Sequence, residues 1–480
     1  MTLDVVSEAL HEELVSPTDI AERLGLRSHR TVLEWLVHLH GFPSPVTRRR
    51  TYLWRWSDVE RWWRARSAQP GPPHLAVVEP RVMTTSHGWT APGFEGVREA
   101  FEANFTHHNE VGAAFCAYHR GHKVADLWGG IADPATGAAW DEDTLVLVFS
   151  TTKAFTAMCA HHLAQQGTLD LEAPVAQYWP EFAANGKADI TVAQLLAHQA
   201  GLPWVDARVS LDEALAWEPV VHALEAQQPA WEPGTKHGYH ATTYGWLVGE
   251  VIRRVSGRSV GTYLREEIAG PLGADVFIGL PEALEARVAP LISMFPPGLR
   301  LDGGGSDAGG GTADPVAEMI RQFMGPETVL GKALTAPGGA FSDIEVFNSR
   351  AVRAAEVPAA NGVADARGVA RLYAACLGEV DGIRSLTAEQ LALATTQRTE
   401  GGNTVLFDMD VQFGLGFMVR SSIMPLGGPR SFGHFGMGGS MGWADPEAEL
   451  AFGYVMNKMD LGLAGDARST NLVDAVYASL

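Results

Sequence analysis

The sequence predicts an α/β protein in which one sheet is built from strands at both ends of a large domain, and a small helical module precedes that domain. Two apolar segments, residues 112–119 and 123–129, are joined by a short Arg120-Gly-His turn and predict a β-hairpin. A second pair of strands is expected at residues 414–419 and 450–456, ahead of a C-terminal helix. Helical and loop segments fill the chain between the two pairs, so both ends are expected to contribute to one sheet.

The composition is typical of a globular protein and not of a disordered or fibrous one. At 480 residues the chain exceeds the size of one ordinary core, and two or three structural units are expected. No apolar stretch approaches the ~20 residues that span a membrane, and the acidic N-terminus lacks the basic start of a signal peptide. These features predict a cytoplasmic protein with no membrane segment.

The spacing of cysteines and histidines argues against a metal centre or a disulfide framework. Cys116, Cys159 and Cys376 are far apart in sequence, so we expect buried free thiols. The adjacent histidine pairs at 107–108 and 161–162 lack the i, i+4 spacing of a zinc-binding helix. We therefore expect neither a metal nor another cofactor.

The first 70 residues carry the pattern of a helix, a turn and a second helix. The first helix is expected to begin at Ser16-Pro17 and to end at Gly25. Residues 28–40 are expected to form a second helix with an apolar stripe on one side. A basic, aromatic strand and a Trp-bearing helix follow. In this order residues 14–66 resemble the winged-helix domains of phage excisionases and their relatives among the mercury-resistance regulators.

That resemblance implies a DNA-binding module, with the second helix in the major groove and the strand pair as a basic wing. The residues expected near base edges are Arg27, Ser28, His29, Arg30 and Thr31, and those near phosphates are Arg48, Arg49 and Arg50. Alternatively, the helices pack on the larger domain and the arginines form a solvated surface. Specific DNA recognition would require a homodimer, and the rest of the chain is strongly acidic and would repel the duplex.

A proline-rich segment after residue 68 predicts a domain boundary near residue 70. Residues 1–70 would form the winged helix-turn-helix domain, residues 71–84 the linker and residues 85–480 the large domain. Within the large domain, residues 302–312 are rich in glycine and lack the Lys-Ser or Lys-Thr of a phosphate-binding loop. A loop at the rim of a site and a plain connector are both consistent with that segment.

The motif Ser150-Thr-Thr-Lys153 lies where an apolar run, residues 145–149, gives way to a helical pattern. If the helix begins near Ser150, the three-residue spacing places a hydroxyl and an amine on one face, within proton-transfer reach. A serine three residues before a lysine also arises by chance. The change from strand to helix at this point favours a nucleophile with its base.

Two further motifs follow in a fixed order. Tyr239-His-Ala241 precedes an apolar helix, and residues 432–439 form a glycine-rich edge whose backbone could approach a ligand closely. Together with segments at 195–202, 232–234 and 361–365, they make residues 85–480 similar to the serine β-lactamase and penicillin-binding-protein superfamily, especially class C β-lactamases and family VIII carboxylesterases. The resemblance implies a β-lactamase-like fold, an antiparallel sheet flanked by helices with a helical subdomain.

The resemblance also implies roles for six residues. Those expected to carry the chemistry are Ser150 as nucleophile, with Lys153, Tyr239 or both accepting its proton, and those expected to bind the substrate or oxyanion are His434, Gly436 and Met437. Two positions depart from the lactamase pattern. Ala241 replaces an asparagine that contacts the substrate amide, and His434 replaces a lysine that helps to hold the lactam carboxylate.

Both departures favour esters over β-lactams. We therefore expect a serine hydrolase that acts on carboxylic esters through an acyl-enzyme. A transcriptional regulator that senses an acylating ligand through Ser150 is an alternative. A D-amino-acid peptidase or an acyltransferase is another, and the sequence does not separate these activities.

Overall fold

The computed structural model describes residues 86–296, 298–302, 315–460 and 465–480, with a few positions between residues 14 and 62. The chain folds as two compact units, Met1–Val82 and Met83–Leu480. The glycine-rich segment at 303–312 lies outside the described residues, so neither interpretation of it is tested.

In the first unit, strand β1 (Leu14–Val15) pairs antiparallel with strand β2 (Trp54–Arg55), and residues 58–62 are helical. The predicted DNA-contacting residues, 27–31 and 48–50, lie outside the described residues, as does most of the helix-turn-helix pattern. The winged-helix interpretation therefore stays a prediction.

The second unit is built on antiparallel strands. In chain order they are β3 (His87–Thr90), β4 (Gly112–His119), β5 (His122–Asp133), β6 (Ala138–Ala139), β7 (Val146–Leu147), β8 (Val276–Phe277), β9 (Val363–Ala364), β10 (Gln412–Phe413), β11 (Met418–Val419), β12 (Phe432–Phe435), β13 (Met441–Asp445) and β14 (Leu450–Met456). The main sheet has the order β10-β11-β12-β13-β14-β4-β5-β3, with β6 paired to β5, and β7-β9-β8 form a smaller sheet.

Helices cover the sheet and form a helical subdomain. The described α-helices of this unit are α1 (Glu95–His107), α2 (Thr152–Gln165), α3 (Val192–Leu196), α4 (Leu211–Leu215), α5 (Glu218–Ala226), α6 (Thr243–Ser256), α7 (Val260–Tyr263), α8 (Pro315–Met324), α9 (Val329–Thr335), α10 (Arg350–Ala354), α11 (Ala366–Leu377), α12 (Ala388–Thr395) and α13 (Ala467–Ala478). Helix α11 packs on β14 and β4, and α13 packs on α1.

The predicted hairpin and the closure of the sheet by both chain ends are confirmed. Strands β4 and β5 pair along their length, and β14 pairs with β4 from Leu450 opposite His119 to Met456 opposite Ala113. All seven residues of β14 are buried. Gly453 lets α11 approach, because a Cβ there would lie 2.6 Å from the carbonyl oxygen of Ala366.

The single strand predicted at residues 414–419 is confirmed only at Met418–Val419, and residues 414–417 are not a strand. The chain instead forms two short strands, β10 and β11, with a turn between them in which Gly416 has φ +86°. A Cβ at Gly416 would overlap the side chain of Ala157 on α2, so this turn depends on packing and not on strand propensity. Strand β12, predicted as an edge, lies between β11 and β13, although β11 pairs only with its first two residues, Phe432 and Gly433.

The three cysteines are free and buried, as predicted, and burial raises the pKa of each thiol. Among the described helices, none is long and apolar enough to cross a membrane. The described residues also contain no group of three or more His, Cys, Asp or Glu side chains that could hold a metal ion.

Helix α2 carries a buried histidine whose two nitrogens are satisfied only in the neutral form. His161 Nε2–H donates to the carbonyl oxygen of Leu415 at 2.8 Å, while Nδ1 accepts from the amide of Gln390 at 2.8 Å. Protonation would place an N–H against that amide N–H, and burial lowers the His161 pKa to about 4.

We expect His161 to make the fold acid-sensitive. Below the ordinary histidine pKa of about 6.5 the unfolded chain binds a proton that folded His161 refuses, so stability falls as pH falls from about 6.5 to about 4. The slope from this one residue is about 1.4 kcal/mol per pH unit. Urea unfolding between pH 7 and 4.5 should give a flatter profile for His161→Gln than for wild type. A profile as steep for His161→Gln as for wild type would contradict the assignment.

Candidate active site

Ser150 lies in a tight turn between β7 and α2. The turn is a 3₁₀ segment, Phe149–Thr151, and Phe149 adopts φ +42°, a left-handed conformation that a bulky residue rarely takes. Two hydrogen bonds hold the chain just before this turn. Val148 N–H donates to the carbonyl oxygen of Gly362, and Ser440 Oγ donates to the carbonyl oxygen of Val148, both at 2.8 Å. The half-buried Ser150 is thus presented by a constrained turn at the start of a buried helix.

Lys153, the second residue of α2, is fully buried and lies about one turn after Ser150. Its Nζ lies 2.9 Å from Ser150 Oγ and donates to the carbonyl oxygens of Ala241 at 2.6 Å and Ala359 at 3.0 Å. Within the described part of the chain no carboxylate pairs with this amine, and burial lowers its pKa well below the usual value. In its neutral form this amine has two N–H donors and one lone pair; with both donors on the two carbonyls, the lone pair is available to the Ser150 hydroxyl.

Tyr239, in the loop before α6, completes this group. Lys153 Nζ lies 4.7 Å from the centre of its ring, and its phenol hydrogen-bonds with Ser150. Burial raises the Tyr239 pKa above the ordinary value, which outweighs the opposite effect of the Ser150 hydrogen bond. The backbone N–H of Tyr239 donates to Asn403 Oδ1 at 3.0 Å, and its ring stacks on Phe413. The phenol is therefore fixed in place and protonated at neutral pH.

His434 on β12 stands beside Tyr239, with the two ring centres 6.1 Å apart. Its Nδ1–H donates to the carbonyl oxygen of Phe435 at 2.7 Å, whereas Nε2 is buried with no partner among the described residues. Burial, and then the nearby Lys153, lower the His434 pKa to about 3. The imidazole is therefore neutral and presents an unused acceptor, where a lysine would present a cation.

An apolar cavity of about 320 Å³ opens at Ser150. Its described lining consists of Ser150, Tyr239, Met294, Phe323, Met324, Leu330, Leu334, Leu406, Phe407, Met418, Phe435, Gly436 and Met437. None of these side chains is charged. Phe323 and Phe407 are partly exposed and meet edge to face, with their ring centres 5.9 Å apart.

The wall beside Ser150 is a glycine-rich turn at residues 436–439. Gly436 N–H donates to the carbonyl oxygen of Ser440 at 2.8 Å, and a Cβ at Gly436 would overlap Ser440 Oγ and the carbonyl oxygen of Val148. No other residue type fits there without moving the turn that carries Ser150. Gly436 and Met437 thus face the same cavity as Ser150.

Residues 97–477 match the family model described as Beta-lactamase. The chain belongs to the beta-lactamase family. All six site residues predicted from the sequence lie within the matched range, and the β-lactamase-like architecture of antiparallel sheet and helices is confirmed for the large domain.

Three known proteins of the family resemble the chain over most of its length. The esterase/beta-lactamase LipL of Mycobacterium tuberculosis is 37% identical over 380 residues, which cover 78% of this chain and 83% of that protein. The crystal structure of a family VIII carboxylesterase has 38% identity and a TM-score of 0.72, and covers 82% of this chain and 100% of its own. A penicillin-binding protein homologue from Caulobacter crescentus has 37% identity and a TM-score of 0.70 over the same shares.

Sequence reasoning missed the groups that hold the site together. The carbonyl oxygen of Ala359 binds Lys153, and Asn403 binds Tyr239, yet neither residue lies in a motif. A buried ion cluster around Arg468 also contacts the glycine-rich turn. No local pattern marks these residues, because a backbone carbonyl or a distant amide becomes relevant only through the fold.

We expect Gly436→Ala to lower kcat/KM for p-nitrophenyl butyrate by about 100-fold, since a displacement of about 1 Å at a reacting group has an effect of this size. The added methyl group would push on the Val148 carbonyl, two residues before Ser150. Gly378→Ala is the matched control, because its backbone is extended (φ −159°) and nothing lies within 4 Å of the added Cβ. Equal activity of the two variants would contradict the tight packing of this wall.

Proposed function

We propose that the protein is a serine hydrolase that cleaves carboxylic esters, with Ser150 as nucleophile, Lys153 as general base and Tyr239 as proton donor to the leaving group. The observation that carries the proposal is the buried Lys153 amine, unpaired with any described carboxylate, 2.9 Å from a serine hydroxyl at the mouth of an apolar cavity. Esterase relatives of 37–38% identity over about four-fifths of the chain support the same activity.

In acylation, Ser150 Oγ attacks the ester carbonyl carbon while its proton passes to the lone pair of Lys153. The carbonyl π electrons move to oxygen, and the resulting oxyanion is placed against the backbone N–H groups of Ser150 and Met437, each worth about 3 kcal/mol to the transition state. When the oxyanion collapses, the bond from carbon to the alkoxy oxygen breaks, the leaving alkoxide takes the phenol proton of Tyr239, and protonated Lys153 returns a proton to Tyr239. The opposite pKa shifts of Lys153 and Tyr239 favour the amine as acceptor and the phenol as donor.

In deacylation, a water molecule attacks the acyl carbon while one of its protons passes to the amine of Lys153. The bond between Ser150 Oγ and the acyl carbon then breaks, and the proton returns to Ser150. The products are a carboxylic acid and the free enzyme, so the cycle consumes one water and balances without a change of oxidation state. An alcohol in place of water would give acyl transfer by the same path.

The site favours a neutral substrate over a β-lactam. His434 is neutral and buried where lactamases carry a cation, and no charged side chain is found among the described lining of the cavity. A substrate carboxylate would be desolvated there without a partner. The cavity of about 320 Å³ is at the small end of the range of ligand sites, about 300–1,000 Å³, which suits a short or medium acyl chain.

The test is a series of p-nitrophenyl esters from acetate to dodecanoate, compared with a chromogenic cephalosporin and with D-amino-acid p-nitroanilides. We expect turnover of the esters, with kcat/KM at least about 100-fold above the cephalosporin, and an acyl adduct at Ser150 by mass spectrometry of quenched samples. An adduct that forms without turnover would favour a sensor, and turnover confined to D-amino-acid amides would favour a peptidase; either result would overturn the esterase proposal.

We further propose that residues 1–70 bind duplex DNA as a winged-helix module joined by a linker at 71–84, in a cytoplasmic homodimer. The support is the motif order and the run of three arginines at 48–50. Replacing these three with alanine is expected to reduce the slope of log affinity against log salt by about 3. Binding that is absent, or equal in wild type and variant, would mean that the arginines form a solvated surface.

A further inference from the structure

A buried ion cluster contacts the glycine-rich turn that faces Ser150. Its centre is Arg468, near the start of α13, whose side chain is only 1% exposed and pairs with Glu110 and Asp466. The five N–H groups of the guanidinium donate to Asp466 Oδ2 (from Nε at 3.0 Å and Nη2 at 2.6 Å), Glu110 Oε1 (from Nη1 at 3.0 Å), the carbonyl oxygen of Lys458 (from Nη1 at 2.8 Å) and that of Gly438 (from Nη2 at 2.9 Å). Every donor is used.

The contact with Gly438 fixes the turn from one side, and Gly439 fits against the same cluster. Gly439 has φ +123°, and a Cβ there would lie 2.5 Å from Asp466 Oδ2 and 2.8 Å from Arg468 Nη2. On the other side, Gly439 N–H donates to the carbonyl oxygen of Gly436 at 3.1 Å. Met437, whose amide is the proposed oxyanion donor, is therefore held between Gly436 and two residues packed on the cluster.

The cluster joins parts of the chain that are far apart in sequence. Glu110 lies two residues before β4 and accepts from the hydroxyl of Tyr454 on β14, while Asp466 caps the N-terminus of α13. Such buried ion groups contribute little net stability, because the loss of hydration offsets the attraction between the charges. The Arg468 cluster instead provides a rigid set of five hydrogen bonds, one of which holds the 436–439 turn.

We infer that Arg468 is a positioning residue that holds the 436–439 turn so that the Met437 amide meets the oxyanion formed at Ser150. The inference rests on the proposed function, because it assigns Met437 to the oxyanion. Arg468 does not touch the substrate; it acts through the Gly438 carbonyl. A guanidinium is required, because the three donors of a lysine radiate from one nitrogen and cannot reach two carbonyls and two carboxylates at once.

The test compares Arg468→Lys with Arg254→Lys. Arg254 also bridges two carboxylates, Glu250 at 2.8 Å and Glu181 at 2.7 Å, but contacts none of the proposed site residues. For Arg468→Lys we expect kcat on p-nitrophenyl butyrate to fall about 10- to 100-fold with KM changed less than about two-fold, the pattern of a lost transition-state interaction. The Ki of phenylboronic acid, which forms a tetrahedral adduct at the serine, should rise by a similar factor. Arg254→Lys should change neither constant.

Hydrogen exchange supplies a readout that does not depend on turnover. Amides of residues 436–440 should exchange at least about ten-fold faster in Arg468→Lys, and no faster in Arg254→Lys. If Arg468→Lys does not fold, Gly439→Ala tests the same contact from the turn and should give the same loss of kcat. Wild-type kcat and Ki in a folded Arg468 or Gly439 variant would overturn the inference. A wild-type protein without ester turnover would instead overturn the proposed function itself.

Discussion

Replacing Ser150 with alanine is expected to lower kcat for ester hydrolysis by about 10⁴- to 10⁶-fold, the largest effect of any single change in the chain. The oxygen of this hydroxyl forms the acyl-enzyme, and its proton passes to the amine of Lys153, whose Nζ lies 2.9 Å away. The measurement is steady-state hydrolysis of p-nitrophenyl butyrate, with intact-protein mass spectrometry to detect the acyl adduct.

Ser259→Ala is the matched control for that experiment. Ser259 caps α7 and hydrogen-bonds with Glu356, so its loss is expected to reduce stability by about 1 kcal/mol and to leave kcat unchanged. Substantial turnover by Ser150→Ala, or an adduct that survives in it, would show that another group is the nucleophile.

Replacing Lys153 with methionine is expected to lower kcat/KM by about 10³-fold and to change its pH dependence, since a general base contributes about 10²- to 10⁴-fold. Wild-type activity requires the neutral amine, so it should fall about ten-fold per pH unit below the lowered Lys153 pKa and level off above it. The methionine variant has no such group, and its residual rate should lose this acid limb. The pH–rate profiles of the two proteins are the measurement.

Lys187→Met separates catalysis from the effect of removing a buried amine. Lys187 is also buried and donates to two backbone carbonyls, those of Glu225 at 2.9 Å and Gln227 at 2.6 Å, and burial lowers its pKa to about 8. In both variants two carbonyls lose a donor, so the changes in the free energy of unfolding should be comparable. Only Lys153→Met should lose activity; an active Lys153→Met would contradict the role of Lys153 as base.

The stability of these proteins should also depend on pH in the alkaline range. The folded pKa of Lys187 is about 8 and the unfolded value about 10.5, so between them the unfolded state binds more protons and stability rises with pH. Comparing urea midpoints of wild type and Lys187→Met from pH 7.5 to 9.5 isolates the contribution of Lys187 to stability. That contribution can then be separated from the effect of Lys153 on activity.

The local parts of the fold could be predicted from sequence because they rest on local patterns. The hairpin β4–β5 follows from apolar segments around a short turn, and α2 from a long apolar run after Thr152. Where the prediction was wrong, at residues 414–417, the deciding contact was with α2, more than 250 residues away. The pattern there resembles a strand, but the close approach of Gly416 to Ala157 requires a turn.

By itself, the sequence determined that Ser150 and Lys153 share one helical face, since three residues span about one turn, and its ordered motifs determined the family. Only the tertiary structure decided the state of that site. It brought the carbonyls of Ala241 and Ala359 to the amine, left the amine with no described counter-charge, and fixed His434 as a neutral acceptor. Proton affinity depends on burial and on neighbours from distant segments, and these are properties of the packed chain that no short stretch of sequence contains.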